Sequence, residues 1–435
     1  MAYNPQRLKR AYYAFSSIFK KQSAFGTALA DADLDERHNC RVTFEDVIDR
    51  ETVYDCAEED VADEEKNSQL KRVRLSYPSI TPQRLYGWIC ALLSSTAGAT
   101  GTPNDEVQTI TIDATGGTFT VSFSYEGLSG TTPALAYNCT AAQLQAALEA
   151  LESIGEGNVS VTKLSNVFTI TFIGALAKTN VPALSTTPTL TGGAGTAAVN
   201  TTTPGGNKYH AATRSTDDQL AKSSMGCGWE NNTDDPKKYR DLVVDSIVIN
   251  FNRRRLLTVE VVLIGRFTPA EMDGFTVPDC VIPDGIKGSE CVAVINSSYK
   301  REEFWSGTVT LNNAVPTGDD AFPFTGTEIA NLERGDKPTY PIAMQILGSG
   351  RDTVGALVED ETKVPITFHF GNPGNRCSLV FPNVLMKFAS NPIQYVGDRN
   401  RSAHNIEATP HKDETLQAPL RAEAYLDQTA QFLST

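Results

Sequence analysis

The segment 242–267, with the sequence LVVDSIVINFNRRRLLTVEVVLIGRF, constrains the fold of this chain more than any other stretch. It contains two apolar runs on either side of the polar sequence Asn-Arg-Arg-Arg at 252–255. In both runs large apolar residues recur at every second position, which is typical of a β-strand with one buried face. The break between the runs leaves roughly three to five residues for a loop, an allowed hairpin length. The segment therefore predicts a long antiparallel hairpin.

The register of this hairpin follows from the same alternation. Antiparallel pairing keeps both apolar sets on one face only when the two paired residue numbers have an even sum. The pairs expected on the buried face are Phe251 with Leu257, Ile249 with Val259 and Ile247 with Val261. The pairs expected on the opposite, partly polar face are Ser246 with Val262, Val248 with Glu260 and Asn250 with Thr258. We expect the first face to contact a core and the second to contact water.

The totals of the chain limit its class. With 435 residues it is too long for one ordinary domain and long enough for about two or three. A net charge of −14 argues against phosphate binding as the main source of affinity for a partner. No apolar run approaches the roughly 18 residues of a membrane helix, and the first residues lack the apolar segment of a signal peptide. The eight cysteines form no CxxC pair, so we expect buried free thiols in a reducing compartment.

Outside the central hairpin, many short runs predict further strands. Alternating runs at 41–48 and 72–78 predict two strands near the N-terminus. Thr81 and Pro82 then begin a predicted helix, as a hydroxyl N-cap followed by proline at the first helical position. Later strands are predicted at 290–297, 304–315, 339–347, 363–370, 376–386 and 417–428, with a short helix at 351–361. So many strands joined by Gly, Pro and Asp turns are typical of a sandwich or barrel.

A compact unit interrupts this pattern. Segments 94–104 and 186–207 contain few large apolar residues and are predicted as linkers. Between them, alternation predicts a hairpin of 107–114 and 118–125 and a second hairpin of 158–164 and 167–173. Thr140 and Gln143 form a capping box that begins a helix reaching about Ile154. We therefore predict an inserted ββαββ domain at 105–190 and a linker at 191–207, between host segments 1–104 and 208–435.

No motif in the sequence indicates a catalytic, cofactor or metal site. The glycine-rich stretch 348–355 follows a predicted strand but lacks the third glycine of a dinucleotide loop. The acidic stretch 31–35 begins like a calcium loop and lacks its glycine and its final glutamate. His369 lies between two phenylalanines and is interpreted as a solvated or hydrogen-bonded strand position. We expect no catalytic residue, no cofactor and no metal ion.

Two charged features stand out instead. The acidic run 55–65 is either a solvated loop or a docking surface. Three adjacent arginines at the predicted hairpin tip repel one another and would bind carboxylates of a partner, whereas the overall charge disfavours phosphate. Together with the basic N-terminal segment, these features give the candidate contacts between subunits or rings. The candidates are Arg253, Arg254, Arg255, Arg7, Lys9, Arg10, Asp55, Glu58, Glu59, Asp60, Asp63, Glu64 and Glu65.

The order of these pieces resembles a known family. A basic N-terminal segment, the stretch QSAFGTAL, paired strands, the helix TPQRLYGWICALL and the hairpin VDSIVINF…LLTVEVVLIG are similar to the tail tube (major tail) proteins of long-tailed bacteriophages. This resemblance covers most of 1–100 and 208–435. The inserted unit, with TGGTFTVSF, ALAYNCTAAQLQAALEAL, GNVSV and FTITFIGALAKTNVP, resembles a small β-rich module that decorates phage virion proteins and bacterial surface proteins.

The resemblance implies a fold and an assembly. The fold would be mainly β with some α+β character: a tail-tube-type β-sandwich or barrel with a flanking helix, plus the inserted ββαββ, Ig-like decoration domain on the outer surface. Six protomers would form a ring, stacked rings would form a tube, and strands of neighbours would close a barrel around a lumen for DNA. The implied partners are further copies in a homo-hexamer and in stacked rings, and tail terminator, tape measure and baseplate proteins. Viral DNA would pass transiently and without sequence specificity, in a virion tail assembled in the cytoplasm of the bacterial host, with no membrane insertion.

Within that picture the polar hairpin face is a candidate lumen lining. The candidate residues are Asp245, Ser246, Asn250, Thr258 and Glu260. Neutral and acidic side chains suit a channel through which DNA slides, because basic ones would hold the phosphates. The same face could instead lie outside the barrel. Two other functions stay open: another virion or cell-surface structural protein with the same module, such as a baseplate hub, capsid decoration or adhesin, and an enzyme such as a β-sandwich glycan hydrolase.

Overall fold

The computed structural model of the chain describes its residues in twenty ranges. They are 12–16, 20–23, 29–34, 36–47, 50–54, 61–66, 70–95, 104–125, 127–206, 209–215, 220–229, 232–266, 270–272, 284–299, 304–316, 333–335, 337–347, 351–372, 375–396 and 401–426. Within them the fold is mainly β with antiparallel sheets, which confirms the predicted fold class. None of the helices in these ranges is long and apolar enough to cross a membrane.

In the first part of the chain the described residues form six strands and a helix. They are β1 (Tyr12–Ser16), β2 (Glu36–Arg37), β3 (Arg41–Val47), β4 (Arg50–Tyr54), β5 (Val61–Lys66), β6 (Leu70–Tyr77) and α1 (Pro82–Leu93). The predicted helix start is confirmed, because the Thr81 hydroxyl accepts the Arg84 backbone N–H at 3.3 Å and Pro82 follows the cap. Nearly all of α1 is buried, so this helix lies inside the core of the host part.

The inserted unit contains eight strands and a helix within the described residues. They are β7 (Val107–Asp113), β8 (Gly116–Tyr125), β9 (Leu128–Thr131), β10 (Leu135–Ala136), α2 (Ala141–Glu149), β11 (Val159–Leu164), β12 (Val167–Phe172), β13 (Ser185–Thr191) and β14 (Thr196–Thr203). One sheet joins β8 to β9, β10 and β13, and the other has the order β11–β12–β7–β14. The Phe119, Phe168 and Phe172 rings and the buried face of α2 form a core of its own between them.

Three predictions for this unit need correction. β7 and β8 do not pair as a hairpin, since β7 pairs with β12 and β14 whereas β8 pairs with β13. The segment 191–207 is not a plain linker, because β14 extends one sheet through backbone hydrogen bonds. The helix ends at Glu149, earlier than expected. The predicted capping box of Thr140 and Gln143 and the hairpin of β11 and β12 are both present.

The rest of the chain is mostly strand. Its elements are β15 (Tyr209–Thr213), β16 (Ser223–Trp229), β17 (Asn232–Asn252), β18 (Thr258–Arg266), β19 (Ala270–Glu271), β20 (Cys291–Ile295), β21 (Ser298–Tyr299), β22 (Phe304–Asn312), β23 (Ile342–Leu347), α3 (Arg351–Glu359), β24 (Val364–Asn372), β25 (Asn375–Val396), β26 (Arg401–His411) and β27 (Arg421–Tyr425). They join β1, β2, β3 and β6 in one large antiparallel sheet.

The central hairpin has the predicted register almost throughout. In β17 and β18, Ile247 pairs with Val261 and Ile249 with Val259, and the three predicted pairs of the polar face are also present. Leu257 departs from the prediction. Its backbone N–H donates to the carbonyl of Ile286 at 2.9 Å, so it does not pair with Phe251.

The large sheet has one dry face. Eight of its strands follow in the order β3–β6–β18–β17–β22–β23–β26–β25, and their apolar side chains face one core with α1 and β24. At the centre of this core the aromatic rings of Phe251, Phe304, Phe368 and Phe370 stack or tilt against one another with centroids 5.1 to 6.3 Å apart. The opposite face of these eight strands carries the candidate site.

Candidate functional site

The opposite face of the eight-stranded row is mostly polar, with Val248, Val262 and Ala343 among its apolar residues, and we call it the polar face. Period-two alternation puts these side chains on the face opposite to the core residues of the same strands. Ser246, Asn250, Thr258 and Glu260 from the predicted lumen set all lie on it. Their cross-strand partners extend it over neighbouring strands. These partners include Ser76, Arg74, Thr308, Thr310, Gln345, Asn405, Glu407 and Lys387.

Neutral side chains of the polar face hydrogen-bond to one another across the strands. The Thr308 hydroxyl donates to the Asn250 side-chain oxygen at 2.8 Å. The Ser306 hydroxyl donates to the side-chain oxygen of Gln345 at 2.6 Å, and the Gln345 amide donates to Asn405 at 3.0 Å. Groups that already have partners on the same sheet attract a passing ligand less strongly than isolated ones.

Most charged groups of this face lie in ion pairs of opposite sign. Arg74 is 2.5 Å from Glu260, and Lys387 is 3.1 Å from Glu407. Arg72 is 3.4 Å from Glu45 at the edge of the sheet. All three pairs are partly exposed, so each adds little stability. Their main effect is to cancel most of the positive charge on this face. The exposed Arg41 of β3, opposite Ser76, belongs to none of the three pairs.

The middle of the polar face is concave. A groove of about 1050 Å³ lies along it, with walls from six strands. Its lining includes Asn250, Thr258, Thr308, Gln345, Asn405 and Glu407. Besides these hydroxyls, amides and a paired carboxylate, the lining includes the exposed Arg255 at the hairpin tip. Away from Arg255 the groove suits contact with water or a sliding polyanion better than tight binding of phosphate.

Asp245 is the one predicted lumen residue that leaves this row. The pairing of β17 with β18 is irregular between Val244 and Ser246, which turns Asp245 away. Its carboxylate accepts the backbone N–H of Val315 at 3.0 Å. Burial raises the pKa of Asp245, although the Val315 hydrogen bond and the charge of Arg72 act in the opposite direction. Asp245 therefore holds the loop after β22.

The arginine tip packs against its own chain. The turn is held by the Asn252 carbonyl, which accepts the Arg255 N–H at 3.0 Å, and by the Asn252 side chain, which accepts the Arg254 N–H at 3.1 Å. The Arg254 guanidinium lies over the Trp305 ring, 5.5 Å from its centroid. Arg254 and Arg255 are exposed, so both remain available as candidate contacts.

Most of the other predicted contact residues cannot be placed. Arg7, Lys9, Arg10 and the acidic residues Asp55, Glu58, Glu59 and Asp60 lie outside the described residues. Asp63, Glu64 and Glu65 belong to β5, which pairs with β4 in a separate two-stranded sheet. The end of the acidic run is therefore a strand of a hairpin.

A buried polar chain was not expected from the sequence. Trp88 donates its ring N–H to the Tyr77 oxygen at 3.1 Å, and that hydroxyl lies 2.8 Å from the Nδ1 atom of His38. The Nε2 atom of His38 lies 2.7 Å from the Ser16 hydroxyl. Burial, helped by the nearby charge of Arg84, holds the pKa of His38 well below its usual value. A neutral ring with its proton on Nε2 satisfies every contact in this chain.

His369 and the described cysteines are structural residues by their surroundings. The Nδ1 atom of His369 lies 2.8 Å from the Ser378 hydroxyl, and burial lowers the pKa of this histidine to about 4. Cys40, Cys90, Cys139, Cys227, Cys291 and Cys377 are all free thiols. In the described ranges no three His, Cys, Asp or Glu side chains cluster closely enough to hold a metal ion.

Comparisons with known proteins add no family to this picture. The chain matches no protein family, and no curated protein is significantly similar to it.

Proposed function

We propose that this chain is a structural subunit that joins copies of itself into closed rings and stacks the rings into a hollow tube, as the tail tube of a bacteriophage does. The observation that carries this proposal is the polar face: a wide, concave sheet surface on which most charges are paired, backed by a continuous dry core. A closed ring of such sheets gives each sheet edge a strand partner.

The electrostatics of the polar face favour the passage of DNA over its retention. A protein that neutralises phosphates with lysine and arginine gains affinity from the release of counterions, and so it grips the strand. On this face Arg74 and Lys387 already have carboxylate partners. The surrounding amides and hydroxyls are neutral at any physiological pH. A channel lined in this way excludes no water and provides no strong binding site for the phosphates of DNA.

The inserted unit fits an outer position in such a tube. It has its own core, and its two ends meet where Asn104 and Gly206 exchange two backbone hydrogen bonds of 3.1 Å. A domain joined through adjacent ends can stand away from its host without disturbing it. On this proposal it decorates the outside, where it leaves the lumen open.

The partners that follow are further copies of the chain, within a ring and between stacked rings. Tail terminator, tape measure and baseplate proteins would contact the ends and the lumen of the tube, and the assembled protein would be part of the virion. The exposed Arg254 and Arg255 side chains and the acidic run 55–65 are candidates for contacts between copies. Such contacts between charges would weaken as salt is raised.

Electron microscopy of the purified chain over a range of concentrations tests this proposal. Repeating rings or hollow rods support it. Dispersed monomers under every condition would overturn it and would favour a role as a separate decoration or adhesin subunit. The reversed-charge variant Arg254→Glu/Arg255→Glu should need a higher protein concentration to form rods, and salt should reduce the difference from the unmodified chain.

A further inference from the structure

The part of the chain outside the insert contains two units with the same order of strands and helix. Apart from β15 and the hairpin of β4 and β5, which have no counterpart, the described elements before β20 form a first unit. It consists of β1, β2, β3, β6, α1, β16, β17, β18 and β19. The elements β20, β21, β22, β23, α3, β24, β25, β26 and β27 follow in the same order of strands and helix as a second unit. Both units contain one very long strand, β17 with 21 residues and β25 with 22.

The strand pairings repeat as well as the order. In the first unit the antiparallel pairs are β1–β16, β1–β2, β3–β6, β6–β18, β16–β17, β17–β18 and β17–β19. In the second unit they are β20–β24, β20–β21, β22–β23, β23–β26, β24–β25, β25–β26 and β25–β27. Each of these pairs in one unit has a counterpart in the other, whereas the single-residue contact of β1 with β3 has none among the described strands. Chance agreement of order, direction and partner throughout is implausible for separate folds.

Individual residues can be matched through these pairings. The cross-strand row Val42–Leu75–Val261–Ile247 corresponds to the row Gly307–Met344–Ile406–Phe388. The connection from this strand to the helix is short in both units: four residues lie between Tyr77 and Pro82, and three lie between Leu347 and Arg351. The next row equates Ile249 of β17 with Ile393 of β25, since Ile249 pairs with Val259 and Ile393 with His404. The pairing of β25 with β26 is irregular between Phe388 and Ile393, so β25 contains extra residues at this point that β17 lacks.

The repeat also explains where the insert lies. In the second unit α3 ends at Glu359 and β24 begins at Val364. The corresponding connection in the first unit, from Leu93 to Ser223, contains the entire inserted domain and β15. The insert therefore replaces a short helix-to-strand turn of the basic unit.

The two units join edge to edge inside the chain. The C-terminal part of β17 pairs antiparallel with β22, from Ser246 opposite Asn312 to Asn252 opposite Ser306. At this junction Ile249 faces Val309 and is completely buried. In the row of strands, β17 at the end of the first unit thus pairs with β22 at the start of the second. The polar face and the dry core continue across the seam.

The same kind of edge is open at the end of the second unit. β24 pairs with β25 only as far as Val384, and no described strand pairs with that side of β25 from there to Val396. Ile393, which matches the buried Ile249, is 51 % exposed on this edge. At the other end of the row, β3 matches β22. Among described strands β6 pairs with its inner side and β1 contacts its outer side at one residue pair, Tyr12 with Val42.

We propose that the C-terminal part of β25 in one copy pairs antiparallel with the outer edge of β3 in a second copy, in the geometry of the β17–β22 junction. Because Val309 matches Phe44, the repeat places Ile393 opposite Phe44 of the next copy. The contact would cover the exposed Ile393 side chain, as Val309 covers Ile249 within the chain. The partner is therefore another copy of this chain, and its recognition consists of main-chain hydrogen bonds and one apolar pair.

This pairing changes the expected number of chains in a ring. If a ring contains the six tube units that the family resemblance implies, three chains supply all of them, and the expected homo-hexamer becomes a trimer of double units. The chain count rests on the proposed function, whereas the edge pairing does not. A ring of three chains would still show approximate sixfold symmetry on its polar face.

The variant Ile393→Lys tests the edge directly. It should raise the concentration needed for assembly on the order of a hundredfold, because a lysine without a carboxylate would be buried at the seam. The matched control is Leu164→Lys, at a side chain 83 % exposed on the insert. Both variants should remain folded as monomers, because the Ile393 and Leu164 side chains are both exposed in the single chain. Equal assembly of the two variants would overturn the proposed contact.

Hydrogen–deuterium exchange of the unmodified chain gives a second test that needs no substitution. Backbone amides in 43–47 and 393–396 should exchange more slowly in the assembled protein than in the monomer. Amides of β11 in the insert serve as a reference that assembly should leave unchanged. Faster or equal exchange at both edges would contradict the pairing.

Counting chains per ring separates the inference from the proposed function. Mass measurement of rings and the symmetry of rods should give three chains. Tubes with six chains and unprotected edges would overturn the inference and leave the tube function intact. Open chains of copies joined through protected edges, with no ring or tube at any concentration, would support the edge contact and overturn the tube function.

Discussion

Asn250 and Thr308 show how single residues define the polar face. They lie opposite one another on β17 and β22, and the Thr308 hydroxyl donates a hydrogen bond of 2.8 Å to the side-chain oxygen of Asn250. Glu260 neutralises the charge of Arg74 in an ion pair. A surface whose polar groups and charges are matched within the sheet has little affinity for phosphate, so a few new cations should change its behaviour toward DNA.

We expect tubes of the variant Asn250→Arg/Gln345→Arg to retain double-stranded DNA that tubes of the unmodified chain release. Each chain would present to the channel two arginines that have no carboxylate partner. These arginines would bind phosphates and displace counterions. The measurement is the residence of a short fluorescent duplex in assembled tubes at low and high salt, with retention lost at high salt. The control is Thr187→Arg/Thr189→Arg, at exposed positions of β13 on the insert. Equal retention by both variants would exclude the polar face as the channel lining.

The buried histidines predict how stability depends on pH. Burial lowers the pKa of His369 to about 4 and holds the pKa of His38 well below its usual value. A group with a lowered pKa binds fewer protons in the folded state than in the unfolded state, so stability falls as pH drops below about 6.5. The slope approaches about 1.4 kcal/mol per pH unit for each such histidine.

Urea unfolding between pH 7 and pH 4.5 checks this expectation with the variant His369→Gln. The variant should lose less stability on acidification than the unmodified chain, because one of the two histidines no longer titrates. The raised pKa of Asp245 acts in the opposite direction in both proteins and cancels in the comparison. Parallel pH profiles for the two proteins would show that His369 ionises equally in the folded and unfolded states.

At the scale of elements, the sequence predicted the strands whose alternation is strong. The register of β17 with β18 follows from period two alone, because a slip by one residue would expose every apolar side chain. The first half of β17 was missed, since Asp234, Asp235 and Pro236 give no strand signal and its pairing is supplied by β16. β26 was also missed, because its few apolar residues are small or interrupted by Pro410.

The insert shows a similar limit. Its central strands and helix cap were predicted from alternation and from the capping box, whereas β13 and β14 were interpreted as linker. These two strands contain mostly threonine, alanine and asparagine, and they lie at sheet edges where little side-chain burial is needed. Backbone pairing with β8 and β7 therefore decides their structure, and a single sequence does not reveal such pairing.

We expect the insert and the host part to fold separately. Deletion of 105–205, with Asn104 joined to Gly206, should change the free energy of unfolding of the host by no more than about 1 kcal/mol, because a short loop replaces a long one between adjacent ends. The isolated segment 104–206 should unfold cooperatively around its own core. Thermal melts of both pieces provide the measurement. A host that fails to fold after deletion would contradict the insertion.

At the scale of the whole molecule, the two units and their seam connect fold and assembly. The long strands β17 and β25 each take part in both the core layer and the polar row, so the polar face is held rigidly against the dry core. The seam between β17 and β22 is a contact between units that this chain already makes internally. Assembly on this account needs no new kind of contact, only a repetition of that seam between copies.

A cryo-electron microscopy reconstruction of assembled rods tests most sharply whether the polar face lines a channel, because it shows which side chains face the lumen. The account predicts a hollow rod with Asn250, Thr308 and Gln345 facing the lumen and residues 104–206 on the outside. A solid fibre, a channel lined by the insert, or the absence of rods at every concentration and salt condition would contradict it.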